Sequence, residues 1–348
     1  MHGTYTHHTI SVCTGCYKQN TQRSQTLKLD RDVLRIKILM GWEAYDAAAD
    51  IYVNGRNSMQ DGSLLSLQSI ATSSERSVVP ESEWFKEYYN NDENYADTMI
   101  QDAFKGGSAS INYPGASPDQ LQGVVFRLLQ TLVTPMYSLQ EMHKAINLCG
   151  SDSQAAEDAW DRGAALYVGS GEGTEAGGTG SGVLLFGLAN EVCDKFGTCD
   201  NSGSAQANGD MIDFFQRGKE SLSDGSCAAL PNPTLPARLV GDMRLAMIQG
   251  TLHFAAINDK LGAGSREGSI GDGAGVSRSI LPYLDQVNAF DSRTVDKNTD
   301  YPSSGGKPVP DGYSEVFVNI ANALKTIEVD CGDVGVYADV DANRARLI

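Results

Sequence analysis

No stretch of this chain reaches the roughly 20 consecutive apolar residues needed to cross a bilayer, and the longest apolar run, Gly182 to Ala189, is the size of a core segment. The N-terminus lacks a basic segment followed by an apolar one, so the sequence predicts a chain that is not exported or one whose signal peptide is already gone. Basic side chains are scarce: 27 Lys and Arg stand against 44 Asp and Glu, a formal charge of −17 over 348 residues. Such a field repels phosphate backbones and anionic membrane surfaces, which argues against nucleic-acid binding and membrane insertion and leaves cationic ligands or a solvated acidic surface. Histidine is equally thin. Of five, three lie at His2, His7 and His8, leaving His143 and His253 for general acid–base work. There is no nucleophile elbow between a strand and a helix and no His-Glu-x-x-His, so the familiar serine-hydrolase and zinc-protease signatures are missing. No Asn-x-Ser/Thr glycosylation acceptor occurs either.

What is present begins with cysteine, seven in all, with close pairs at Cys13/Cys16 and Cys193/Cys199 and singles at Cys149, Cys227 and Cys331. Export predicts three bridges and one free thiol, whereas cytosol predicts reduced thiols. A bridge between Cys193 and Cys199 would staple a helix end to its following turn. The polar leader, residues 1–28, carries the three early histidines with Cys13 and Cys16, a set that suits a tetrahedral zinc site or a disulfide-tied leader.

Apolar spacing makes the remainder mainly α-helical. Val33, Ile36, Met40, Ala44, Ala47 and Ile51 recur at three- and four-residue steps and predict one long helix from Leu29. A helix capped by Asp119 or Ser117 runs toward Pro135, which should kink or end it. Ser151 or Ser153 should cap an Ala155–Val168 helix. Residues 262–275 read as a Gly-rich linker and 291–312 as a long polar segment.

The chain also repeats itself. At one constant offset Asp161, Ala164, Tyr167 and Val168 fall on Asp46, Ala49, Tyr52 and Val53, and Trp160 falls on Tyr45. A polar loop follows each copy and leads into Gly62-Ser63-Leu64-Leu65 or Gly182-Val183-Leu184-Leu185. This predicts duplicated helical-bundle halves at 29–150 and 151–262, joined by long Gly-rich loops, with 263–348 as C-terminal helices packing on them. The loop Gly169–Gly182 is not a nucleotide fingerprint, because no strand precedes it and no Gly-Lys-Ser/Thr closes it.

The chemistry on offer is oxygen. Tyr167, Asp161, Tyr52 and Asp46 stand on the repeated helix ends, and Glu172 and Glu175 lie in the second loop. Phenolate and carboxylate suit ferric iron, and a glycine-lined backbone suits a companion anion such as carbonate or bicarbonate. His253 sits on the inward stripe Leu239, Met243, Ala246, Gly250, Ile257. A packing role is the plain alternative for each tyrosine and for His253.

In this order the motifs resemble the algal Fe-assimilating proteins, also described as high-carbon-dioxide-inducible periplasmic proteins and grouped with the phytotransferrins. The residues that carry the resemblance are Trp160, Ala164 to Gly169, Gly182 to Phe186, Cys193-Asp194-Lys195-Phe196-Gly197-Thr198-Cys199, Asn208, Cys227, Gln249-Gly250-Thr251-Leu252 and Cys331 to Gly335. The resemblance implies a secreted, periplasmic or cell-surface protein that assists iron uptake, binding ferric iron with carbonate and acting without catalysis. The family places a basic residue where this chain has Val192, and Arg-Tyr where it has His253-Phe254, which puts anion binding in question here. A structural or self-associating role at the cell surface, and an enzyme of inorganic carbon chemistry, are the alternatives.

Overall fold

The first helix shows how the sequence pattern becomes structure. In α1 (Leu29–Gly41) the residues Leu29, Val33, Ile36 and Met40 are buried along one stripe. The predicted long helix stops there: Glu43 takes φ 57°, and a new helix, α2 (Tyr45–Asn54), starts after it. The Gln122 amide of the next layer lies over Gly41, donating Nε2–H to Lys37 O at 2.8 Å. Glu43 is in a turn between the two helices.

The structure, a computed structural model, describes residues 17, 28–60, 62–170, 182–223, 234–261, 267–300 and 307–338. These are mainly helical. After α2 come a minimal antiparallel hairpin, β1 (Met59–Gln60) with β2 (Ser63–Leu64), then α3 (Leu67–Ala71), α4 (Ser82–Tyr88) and α5 (Tyr95–Ala103). The loop that follows α5 is pinned by the buried Asp102, whose carboxylate accepts from Ser110 Oγ and from the Ile111 and Asn112 N–H groups.

Helix α6 (Pro118–Leu128) starts with Ser117 as N-cap and Gln120 closing a capping box. Pro135 does not end the helical path. A π-turn over Leu129–Val133 absorbs the missing N–H, Thr134 Oγ1 donates to Leu129 O at 3.0 Å, and α7 (Thr134–Leu148) continues. Asp152, rather than either neighbouring serine, caps α8 (Ser153–Val168), accepting from Ala155 N at 3.0 Å.

Next are α9 (Leu185–Phe196), α10 (Gln206–Ser223), α11 (Thr234–Leu261) and α12 (Glu267–Ser277). The glycines of α12, expected as a linker, serve a backbone-to-backbone contact with α6. A Cβ on Gly271 would lie 2.1 Å from Gln120 O, one on Gly275 2.8 Å from Val124 O, and one on the facing Gly123 2.7 Å from Asp272 N. Four shorter helices end the described chain: α13 (Leu281–Val287), α14 (Ala289–Thr299), α15 (Tyr313–Ala321) and α16 (Cys331–Val334). Helix α14 occupies part of the segment expected to be irregular.

One continuous core runs from Tyr17 to Tyr337, with α7 packed on α8, α6 on α12, and α11 against α9, α12 and α15. The Cys193–Cys199 disulfide is present. Cys149 is also disulfide-bonded, and Cys331 is an exposed free thiol. Among the described residues no helix is long and apolar enough to cross a membrane.

Candidate functional site

The region around Tyr167 is an interlocked junction. Its phenol is fully buried at the end of α8 and donates to Asn208 Oδ1 of α10 at 2.8 Å. Asn208 Nδ2 in turn donates to Phe186 O and Asn190 Oδ1 of α9, both at 2.9 Å. Asn190 Oδ1 also accepts from Ala205 N, at the backbone bridge that pairs Ala205 with Cys199. Beyond the disulfide, Gln249 Nε2 of α11 donates to Thr198 Oγ1 and Val334 O, and Val336 N bonds Phe196 O. Gly335, at φ 75°, has no room for a side chain: a Cβ would lie 2.2 Å from Phe196 O. Trp160 completes the set, donating Nε1–H to Phe215 O at 2.8 Å. Burial, with Asp242 adding to it, pushes the Tyr167 phenol well above its ordinary pKa, so the proton stays on and the group acts as a donor.

The remaining candidates are dispersed. Asp161 is buried and accepts from Tyr17 OH at 2.7 Å; burial and then the Asp161 charge raise that phenol's pKa. Tyr52 is buried on Phe104 and donates to Asp97 Oδ1 at 3.0 Å, with burial and Asp97 raising its pKa. Asp46 is exposed. His253 is buried, its Nδ1 lies 3.2 Å from Tyr337 OH, and burial lowers its pKa against the pull of Glu191. Glu172 and Glu175 lie outside the described residues. Among the described residues no three His, Cys, Asp or Glu side chains gather as a metal site.

Sequence reasoning missed a feature at the start of α1. Asp32, 0 % exposed, accepts from Arg56 N, Asn57 N and Asn57 Nδ2, so it holds the loop that follows Tyr52. Two residues earlier Asp30 accepts from Ser170 Oγ at 2.8 Å, which holds the start of the loop that follows Tyr167. Both loops leave their helices through a glycine of the same backbone geometry, Gly55 at φ 67°, ψ 166° and Gly169 at φ 80°, ψ 167°. The signal available in the sequence was acidic residues in the first turn of a helix, which ordinarily answer the macrodipole and backbone N–H groups.

A second missed feature is the buried Arg127 of α6. It forks onto Glu191 of α9 at 2.8 and 2.9 Å and reaches Asp272 of α12 at 2.8 Å. Its guanidinium lies between the rings of Phe126 and Phe254. Burial disfavours both charges, yet attraction prevails: Asp272 and then Glu191 raise the arginine's pKa, and Arg127 lowers that of the Glu191 carboxyl. With both ends matched, the cluster ties α6, α9 and α12 rather than offering ligand positions.

No protein-family model, no curated protein and no solved structure matches this chain.

Proposed function

We propose that this chain is an extracytoplasmic, non-enzymatic iron-assimilation protein built from two duplicated helical-bundle halves, with ferric iron as cargo and carbonate as its companion anion. The observation that carries the reading is the junction itself. Tyr167, Phe186, Asn208, Cys193, Cys199 and Gln249 were singled out by resemblance to the algal Fe-assimilating proteins, and they belong to one bonded network, with Trp160 reaching it through the ring of Phe215 and Gly335 lying against Phe196 O. The disulfides suit an oxidising compartment, and the charge of −17 suits a cationic cargo.

The matching exits at Gly55 and Gly169 support the duplication. In this reading the tyrosines of the two copies are packing and hydrogen-bonding groups. The cargo is met instead beside the first turn of α1, where Asp30 and Asp32 hold the starts of the two loops. Glu172 and Glu175 follow Ser170 in the sequence and are the candidate carboxylate ligands of this reading. Titration calorimetry with ferric nitrilotriacetate, with and without bicarbonate, tests the reading. Saturable binding strengthened by bicarbonate is expected, and absence of saturable heat in both conditions rejects it.

A further inference from the structure

A cavity of about 450 Å³ opens between α4, α7, α11, α13 and the turn that follows α15, on residues that the iron reading does not use. Its volume falls in the range of small-molecule sites, roughly 300–1,000 Å³. The lining is mostly apolar. Trp84, Val240, Tyr283, Val287 and Ile327 supply it, and the indole of Trp84 meets the Tyr283 ring edge-on, centroids 6.3 Å apart at 85°.

Arg244, Glu81, His143 and Glu328 set the charge of this lining, and they do not cancel. Arg244 is committed within the protein: its guanidinium lies 4.3 Å from the Tyr283 ring centre, Nη1 donates to Ile327 O at 2.7 Å, and Nη2 reaches Glu81 Oε1 at 3.1 Å. Glu81 thereby matches the arginine. His143 is kept neutral, because burial lowers its pKa against the weaker pull of Glu81. Glu328 remains. Its side chain is exposed at the mouth of the cavity, and among the described residues it has no ion pair or hydrogen bond. It also stands where glycine is the ordinary residue. The turn after α15 closes with Val329 N–H on Leu324 O at 3.0 Å and holds Glu328 at φ 60°, its carbonyl against Gly241 of α11, where a Cβ would lie 3.0 Å away. Such strained positions concentrate where a side chain has a task. The lining thus carries one uncompensated negative charge beside an apolar, aromatic surface. A hard metal ion asks for several oxygen ligands, and among the described residues no three His, Cys, Asp or Glu side chains gather.

We propose that this cavity binds a small organic cation, an amine with an apolar body, its ammonium at Glu328 and its body against Trp84, Val287 and Ile327. The field of a chain with formal charge −17 favours the same sign of ligand. An anion meets an unmatched carboxylate at the mouth, and a neutral analogue gains the apolar contact alone.

Benzylammonium, benzyl alcohol and benzoate share one ring and differ in charge. Calorimetry on the full chain at neutral pH should show one saturable benzylammonium site, with benzyl alcohol about fivefold weaker, as one partly exposed ion pair allows, and benzoate weaker still. Glu328→Gln alters an exposed side chain and should bring benzylammonium down to the affinity of the alcohol. Asp119→Asn, at the far end of the α6–α7 helical path from His143, controls for the general field of the chain and should leave the amine's affinity unchanged. The indole N–H resonance of Trp84 should move along the benzylammonium saturation curve. No saturable benzylammonium binding, equal affinity for amine and alcohol in the wild type, unchanged amine affinity in Glu328→Gln, an equal loss in Asp119→Asn, or a stationary Trp84 resonance overturns the proposal. Iron binding is read in a separate titration, so either result can fail without the other.

Discussion

Replacing Tyr167 with Phe removes one hydroxyl, keeps the ring, and separates a phenolate ligand from a scaffold donor. The ring packs on Phe186 and Phe215 with centroids 6.1 and 5.9 Å away, and that contact survives the substitution. What disappears is the 2.8 Å hydrogen bond to Asn208 Oδ1. Asn208 is 0 % exposed, and its amide nitrogen is already engaged by Phe186 O and Asn190 Oδ1. Its carbonyl oxygen is then left buried without a donor, a loss of about 1–3 kcal/mol. Urea unfolding followed by the fluorescence of the nearby buried Trp160 should show the variant less stable by about 2 kcal/mol. Its ferric-iron affinity should match that of the wild type. An unfolding free energy equal to the wild-type value, together with lost iron binding, would refute the scaffold assignment and make Tyr167 a ligand.

Gly271→Ala should be far more damaging than Gly209→Ala, because the first Cβ meets rigid backbone at 2.1 Å and the second meets nothing within 4 Å. We expect a loss above about 3 kcal/mol or failure to fold for the first, and a gain of about 0.5–1 kcal/mol for the second, read from urea midpoints. Burial alone would raise the Asp102 carboxyl, but its hydrogen bonds, led by Asn112 N–H and Ser110, outweigh that and bring its pKa to about 2. Because the folded value is depressed, the stabilisation is complete above the unfolded carboxyl pKa near 4 and is lost as pH falls through about 2. The wild type should therefore lose on the order of 1–2 kcal/mol across that window relative to Asp102→Asn, and parallel profiles for the two proteins contradict this. Replacing both Cys193 and Cys199 with Ser opens a bridge of sequence separation 6 and should destabilise the chain by about 2 kcal/mol on the chain-entropy model, again measured by urea unfolding.

How much of this was legible in the sequence differs from element to element. The Cys193–Cys199 staple and the termination of α8 at Gly169 rest on local chemistry and the pattern conveyed them, whereas it left Ser117 and Asp119 as alternative caps of α6 and the structure takes Ser117. Glycine was misread in α12, because its propensity signals a loop while its use here is a close helix–helix contact that only the partner helix reveals. Of the two outcomes expected at Pro135, a kink or an end, the end does not occur, because the π-turn before it accommodates the proline and the helical path continues. The break at Glu43, where the backbone turns to φ 57°, is not encoded in the apolar periodicity, which runs on through it. For the candidate site, the sequence found the residues of the junction around Tyr167 but not their wiring. Nothing in spacing alone says that Tyr167 donates to Asn208, that Asp30 and Asp32 each hold a loop, or that Arg127 joins three helices. Those are contacts between residues far apart in the chain, and one carboxylate in a helix's first turn looks like any other.

The central proposal is ferric iron carried beside the first turn of α1, which holds the starts of the loops that follow Tyr52 and Tyr167. Anomalous diffraction at the iron edge, from crystals grown with ferric iron and bicarbonate, tests it most directly. The account predicts a single strong peak beside the first turn of α1, near Asp30 and Asp32. A peak within bonding distance of the Tyr167 oxygen, or no peak at all, contradicts it.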